Sequence, residues 1–521
     1  MPPSYNLAFS EANASGREFY SLLAHFTALK QVMNGNVFVP ALALLVAACS
    51  STGGGGTPSG GAASGTVGSG GAVAGAAPLS SNGSNGGASN AGAANGGCAA
   101  GGDTCANAGA AQGGTQGGAP PLTLPAGHGP GAIFELGIDA PDRPVKSARL
   151  SLYVPDGITK LSGVIVHQHG CGRDGITVPH DLHWQALANR WGMALMGTQF
   201  PTLFPDGDHC DRWSHIENGS GDVFVSALAR FASDSGHAEL NDVPWVLWGH
   251  SGGATWAFQM SKKYPGKTLA VVLKSICEAD PAFSQAIVGV PTLLATGALD
   301  LGQCYPITTQ IFESYRAAGA PWAYVDEPEG THDSAKLRLL AIPYLDSIIA
   351  ARLKGPIVTD LHVLPESEGF LADNQTSTVA AAGTFAGDKS RASWLPSAPA
   401  AEAWRQFVTT RSVQDSSPPT QPPTDLTAKI KDNQVTLRWL SDVDLESGVR
   451  AFNVYRDGSL VLTVPSSNQP FQFGNYGDEP EPKSPGMFVV DSLPGQLYRV
   501  TLVNGSGLES PPSAEVTPTA E

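Results

Sequence analysis

At 521 residues the chain is far longer than one ordinary core requires, so two or more globular parts joined by linkers are expected. Its 46 acidic against 30 basic residues give a formal net charge of −16, and no Lys/Arg cluster interrupts that balance. A surface of that sign repels phosphate backbones, which excludes nucleic acid as an expected partner.

The first apolar feature is residues 37–48, VFVPALALLVAA. It is too short for the roughly 20 residues that cross a bilayer and reads instead as the core of an export signal. Lys30 is the positive charge close before it, and Met33 is an alternative start. The run ends in Val46-Ala47-Ala48-Cys49-Ser50, which resembles a bacterial lipobox. That resemblance implies that Cys49 is lipidated and becomes the first mature residue, so that a lipid anchor is the only membrane contact. Ser50 rather than Asp implies outer-membrane or cell-surface sorting in a Gram-negative cell, with the periplasm or secretion as alternatives. A buried helix with a core cysteine is the competing reading, but nothing polar alternates with the run. Residues 50–120 follow, almost wholly Gly, Ala, Ser, Asn and Thr, too poor in large apolar side chains to offset the entropy of ordering. Such a tether spans about 45 Å as a flexible coil.

Globular composition occupies residues 121–355. Strands are predicted at Ala132–Ile138, Ala148–Val154, Gly163–His169, Met193–Gln199, Trp245–Gly249, Leu269–Ser275, Pro291–Thr296 and Ala323–Glu327. Helices fall between them: Trp184, Leu187, Ala188 and Trp191 share one face, as do Val225, Leu228, Ala229 and Ala232, and then Leu337, Leu340, Ala341, Tyr344 and Ile348. This alternation predicts an α/β domain, a mostly parallel eight-stranded sheet covered on both faces, with ligands at the carboxyl ends of its strands.

Residues 356–415 carry Trp394, Trp404 and Phe407 and are expected to pack back on the sheet domain. A proline-rich linker at 416–423 precedes residues 424–521, where Val435, Leu437, Trp439, Phe452, Val454, Leu460 and Leu462 follow a period-two pattern that predicts an all-β sandwich. The stretches VTLRW, FNVYRDG and LPGQLYRVTLVNGSG resemble a fibronectin type III domain. The resemblance implies that Trp439 is the core tryptophan and that Tyr498 sits at the tyrosine corner, although the loop 465–485 is longer than that family usually allows.

Chemistry concentrates at Gly249-His250-Ser251-Gly252-Gly253, between the apolar run 243–248 and the helical run 254–260. A strand, a glycine-flanked serine and a helix make a nucleophile elbow, in which the hydroxyl stands out over the sheet edge and the helix amides point at the same spot. The bland alternative is a tight turn with a solvent-facing serine. Over about 132–353 the chain resembles the α/β-hydrolase superfamily of serine esterases. A serine hydroxyl needs an imidazole to take its proton and a carboxylate to orient that imidazole. The superfamily order Ser, acid, His implies Asp300, in Gly297-Ala298-Leu299-Asp300, and His332, in Gly330-Thr331-His332-Asp333, with Asp280 as the alternative acid. The oxyanion amides are those of Gly252 and of Cys171, because His169-Gly170-Cys171-Gly172 resembles the HG-type oxyanion motif. Trp213 and His215, in the long loop 200–219, are expected to wall the substrate, whereas Trp256 is expected in the core.

Of seven cysteines, a lipidated Cys49 leaves an even six, which suits an oxidising compartment. The superfamily's strand order implies the pairs Cys171–Cys210 and Cys277–Cys304, and the close spacing of Cys98 and Cys105 makes the third; a free Cys171 thiol as second nucleophile is the alternative. The loop 206–211, DGDHCD, is rich in metal-type ligands but lacks the order of a calcium loop, and a serine triad needs neither metal nor cofactor. The expected activity is hydrolysis of carboxylic esters, polymer-borne ones included, in an open site without a lid. A serine peptidase using the same triad, and a non-catalytic surface-binding lipoprotein relying on its C-terminal module, are the alternatives.

Overall fold

The computed structural model describes residues 131–520 apart from 140–144, 146, 173–174, 202, 205–206, 209, 279–282, 301, 303, 334–335, 355–360, 433, 442–443, 465–487 and 492–495. The expected export signal with Cys49, the expected tether, Cys98 and Cys105 therefore lie outside the described residues. No helix among the described residues is long and apolar enough to cross a membrane.

Eight strands form one sheet: β1 (Gly131–Asp139), β2 (Ser147–Pro155), β3 (Val164–Gln168), β4 (Ala194–Gln199), β5 (Trp245–His250), β6 (Thr268–Lys274), β7 (Thr292–Gly297) and β8 (Trp322–Glu327). Their spatial order is β1-β2-β4-β3-β5-β6-β7-β8. β1 and β2 pair antiparallel and β2 meets β4 antiparallel, whereas every pairing from β4 to β8 is parallel. This order and direction fit the α/β-hydrolase fold. Every strand end lies within one residue of the position read from the sequence.

The central strands are apolar on both faces because both are covered. In β5, Trp245 and Leu247 enter one core while Val246 and Trp248 enter the other, and each such side chain contributes roughly 1.5–3 kcal/mol by leaving water. Helices α2 (Ser220–Ser235), α3 (Gly252–Lys263) and α4 (Cys304–Ala317) cover the first face; α1 (Leu182–Trp191) and α5 (Arg338–Arg352) cover the second. One face was misread: α2 buries Val223, Phe224, Ala227, Leu228, Phe231 and Ala232, so Val225 and Ala229 face solvent. The two phenylalanines hold the larger apolar area and win the inward positions.

Residues 361–415 lie on the second face. A small sheet of β9 (Phe370–Ala372), β10 (Val379–Ala381) and β11 (Ser393–Leu395) is followed by α6 (Ala398–Thr410). Trp394, Trp404 and Phe407 join the core beneath α5, and Trp404 Nε1 donates to the Tyr324 carbonyl at 2.8 Å.

The C-terminal part is a sandwich. One sheet pairs β12 (Thr424–Lys431), β13 (Gln434–Leu440) and β16 (Phe488–Asp491) antiparallel and adds a short strand at Thr519–Ala520 parallel to β12; the other, antiparallel, contains β14 (Val449–Arg456), β15 (Ser459–Val464) and β17 (Tyr498–Asn504). Trp439 is buried between them, edge-on to Phe452. Tyr498 is buried too, and the backbone at 492–495 just upstream, where a tyrosine corner would place its partner, lies outside the described residues. Leu182 of α1 enters the sandwich core, and His183 Nε2 donates to the Leu445 carbonyl at 2.9 Å.

Candidate active site

Ser251 sits between β5 and α3 at φ 54, ψ −122, a backbone region that costs a non-glycine residue on the order of 1–3 kcal/mol. Its surroundings hold it there: the Ser251 amide donates to the Lys274 carbonyl at 2.9 Å, and the Ser251 carbonyl accepts from the amides of Ala254 and Thr255. A Cβ on Gly249 would lie 2.2 Å from the Gly253 carbonyl oxygen, and one on Gly253 would lie 2.0 Å from that of Gln168. Bare glycines therefore let α3 start hard against β3 and β5, with the first amides of the helix, which have no intrahelical acceptor, at the serine.

The carboxyl ends of β7 and β8 bring the other groups. Ala298 and Leu299 donate their amides to the Glu327 and Gly330 carbonyls at 2.9 and 2.8 Å, which fastens the loop bearing Asp300 to the loop bearing His332. His332 Nε2 then lies 3.1 Å from Ser251 Oγ, and its Nδ1 lies 3.0 Å from Asp300 Oδ2. Asp300 is buried and His332 half-buried. Burial by itself pushes the Asp300 carboxyl up, but hydrogen bonds from His332 and Ser275, together with the nearby charge of Lys274, outweigh it and hold the group below its ordinary value. The His332 carbonyl accepts from His250 Nε2 at 2.9 Å. Burial, reinforced by Lys274 and His332, depresses the His250 pKa well below the free value, so that ring is neutral.

Two disulfides flank the serine. Cys171–Cys210 joins the loop after β3 to the loop after β4, with Cα atoms 5.4 Å apart. A Cβ on Gly252 would lie 2.6 Å from Cys210 Sγ and 2.9 Å from Cys171 Sγ, so this bond presses on the first residue of α3. Cys277–Cys304 joins the loop after β6 to the start of α4, and Cys277 Sγ lies 4.0 Å from Ser251 Oγ. With Cys171 in a disulfide, its thiol is not a second nucleophile.

The expected substrate wall divides. Trp213 is a correction: only 1 % exposed and stacked on Phe200, it belongs to the core and backs Gly252 from beneath, because the loop that carries it folds into a short helical turn at Asp211–Ser214. His215 is half-exposed, 3.5 Å from Glu217, 3.6 Å from Glu278 and within 3.1 Å of Gln259 Nε2. Asp280 lies outside the described residues, as do residues 206 and 209 of the loop 206–211. Among the described residues, potential metal-ligand atoms converge at Cys277, Cys304 and His332, where the cysteines are already joined, and at His250, His332 and Asp333, where His250 Nε2 is committed to a carbonyl.

At the end of β3 and the start of the loop that follows it lie His167 and His169, both fully buried, with His167 packed between Trp184 and Trp248 at 4.3 and 4.9 Å. Burial is the main cause that depresses both pKa values, His169 to about 3. Sequence reasoning missed these two as a buried pair, and it missed Lys274 and Ser275. A lysine closing the otherwise apolar central strand TLAVVLK was the available signal for the second pair.

No family model matches the chain, and no curated protein does. Several solved structures are similar to it. A fluorophosphonate-binding serine hydrolase of Staphylococcus aureus is 16% identical, with 39% of this chain and 93% of that chain covered at a TM-score of 0.30. A poly(3-hydroxybutyrate) depolymerase from Bordetella parapertussis is 16% identical over 43% and 88% of the two chains, at 0.29. An S-formylglutathione hydrolase from Agrobacterium tumefaciens is 14% identical over 41% and 91%, at 0.31.

Proposed function

We propose that the chain is a serine hydrolase that cleaves carboxylic esters through an acyl-enzyme on Ser251. One observation carries the reading: a single imidazole, His332, is within hydrogen-bond reach of the Ser251 hydroxyl on one nitrogen and of the Asp300 carboxylate on the other. In this reading His332 Nε2 takes the Ser251 proton as the oxygen attacks the ester carbonyl carbon, and Asp300 stabilises the imidazolium that results. The amides of Gly252 and Cys171 donate to the oxyanion. His332 then returns the proton to the leaving alkoxide, and a water molecule activated by the same imidazole releases the acid. The strained backbone at Ser251 supports the role, because such strain persists where the surroundings over-determine it.

The substrate is an ester, with polymer-borne esters included, and the enzyme acts on the cell surface or outer membrane through a lipid on Cys49. That address rests on the sequence of residues 37–50 alone. The sandwich is read as a fibronectin type III module on its VTLRW and LPGQLYRVTLVNGSG stretches and the buried Trp439 between its sheets.

Turnover of short aryl esters, a panel of peptides and labelling by a fluorophosphonate test the reading together. Ester turnover and labelling are expected in the native chain, and Ser251→Ala should remove both, with a loss of kcat of about 10³-fold or more. Undiminished turnover in that variant overturns the assignment, and turnover of peptides but not esters moves it to a peptidase.

A further inference from the structure

β6 runs through the middle of the sheet and is buried along its whole length, yet it ends in Lys274, whose side chain has no exposure at all. An ammonium is held in such a place only if its surroundings compensate for lost water. Lys274 Nζ donates to Ser275 Oγ at 2.9 Å and to the Thr331 carbonyl at 3.1 Å. Thr331 is the residue before His332. Ser275 in turn hydrogen-bonds Asp300 through its side chain, and its own backbone, at φ 48, is pinned by its amide donating to the Ala295 carbonyl at 2.8 Å. The Lys274 carbonyl meanwhile accepts the Ser251 amide. One residue thus touches the nucleophile through its main chain, the acid through Ser275, and the base through the preceding peptide.

We infer that Lys274 is a positioning residue of the site, a buried cation whose two hydrogen bonds tie the loop of Asp300 to the loop of His332. The inference rests on the serine-hydrolase reading above. A methionine has similar length and suits an apolar strand, so the charge is retained against packing preference. The charges facing Lys274 are Asp300 after β7, Glu327 on β8, Asp333 beside His332, and Arg411 after α6. Arg411 is committed to Glu327, with Nε 2.7 Å from its carboxylate. The groups facing His332 are Asp300, Ser251, the neutral ring of His250 on β5 and the adjacent Asp333; the Cys277–Cys304 bond beside it does not titrate.

The test compares Lys274→Met, Lys274→Arg and Ser275→Gly in the full chain. It reads kcat and KM on a short aryl ester, and the rate of fluorophosphonate labelling. Lys274→Met should lower kcat about tenfold with KM within about twofold. Lys274→Arg, which keeps the charge and the donors, should restore most of that kcat, and Ser275→Gly should lower kcat with KM unchanged. A folded Lys274→Met with native kcat overturns the inference while leaving the Ser251 reading intact; that reading fails separately, if native protein shows no Ser251-dependent turnover. Should Lys274→Met melt, Ser275→Gly decides, and native kcat in that variant overturns the inference.

Discussion

On one flank of Ser251 the Cys171–Cys210 bond lies against Gly252; on the other the Cys277–Cys304 bond lies against the serine hydroxyl and near His332. The first flank offers main-chain amides, whose direction is set by how closely bare glycine backbone is packed. The second offers the side chains of Asp300 and His332, whose geometry is set by hydrogen bonds between two loops and by the buried cation behind them. The lesson is that the backbone flank should break at the addition of one methyl group, whereas the side-chain flank should break at the loss of a donor, an acceptor or a charge.

The sharpest way to separate the flanks is Asp300→Asn, which leaves both disulfides and the amides in place. Its kcat should fall about 10⁴-fold, because the asparagine favours the wrong imidazole tautomer; a loss under tenfold would return the acid's role to Asp280. Next in size is Gly252→Ala on the other flank, where the new methyl meets sulfur at 2.6 and 2.9 Å. Steady-state kinetics should show kcat reduced by about 10²–10³-fold, as when an oxyanion donor is lost, and near-native kcat would mean this flank yields easily. Removing the disulfides as serine pairs should cost about 3–4 kcal/mol of stability each, given sequence separations of 39 and 27. Denaturant midpoints measure that cost, and an equal fall in kcat for the two pairs would erase the contrast between flanks.

The last effect concerns acid. His167, His169 and His250 have folded-state pKa values below the free value of 6.5. The unfolded chain therefore binds more protons, so stability is full above about pH 6.5 and falls as pH drops toward the folded values, about 3 for His169. Urea midpoints that stay level from about pH 7 to about pH 5 would contradict this.

Much of this was legible in the residues. Strands buried on both faces leave unbroken apolar runs, so their ends could be read to within one position, and the ends of β5, β7 and β8 deliver Ser251, Asp300 and His332. What escaped were choices made by packing. The helix face of α2 turned because Phe224 and Phe231 outweigh Val225 and Ala229, and Trp213 went inward because its loop folds over Gly252. Lys274 and Ser275 escaped for another reason: a strand-end lysine is ordinarily solvated, and the apolar run before it marks a buried strand without saying that two other loops will close over its end.

The seam between α1 and the sandwich has a practical consequence. Leu182 is shared with the sandwich core, His183 is capped by Leu445, and Asp415 accepts from both Ser447 and Asn504. Trimming the gene after residue 415 thus uncovers this seam. It leaves a wet leucine at the first turn of α1, an imidazole stripped of its acceptor and a carboxylate without its donors. A shortened product of that kind is best sought with Leu182 and His183 replaced by polar residues at the same time.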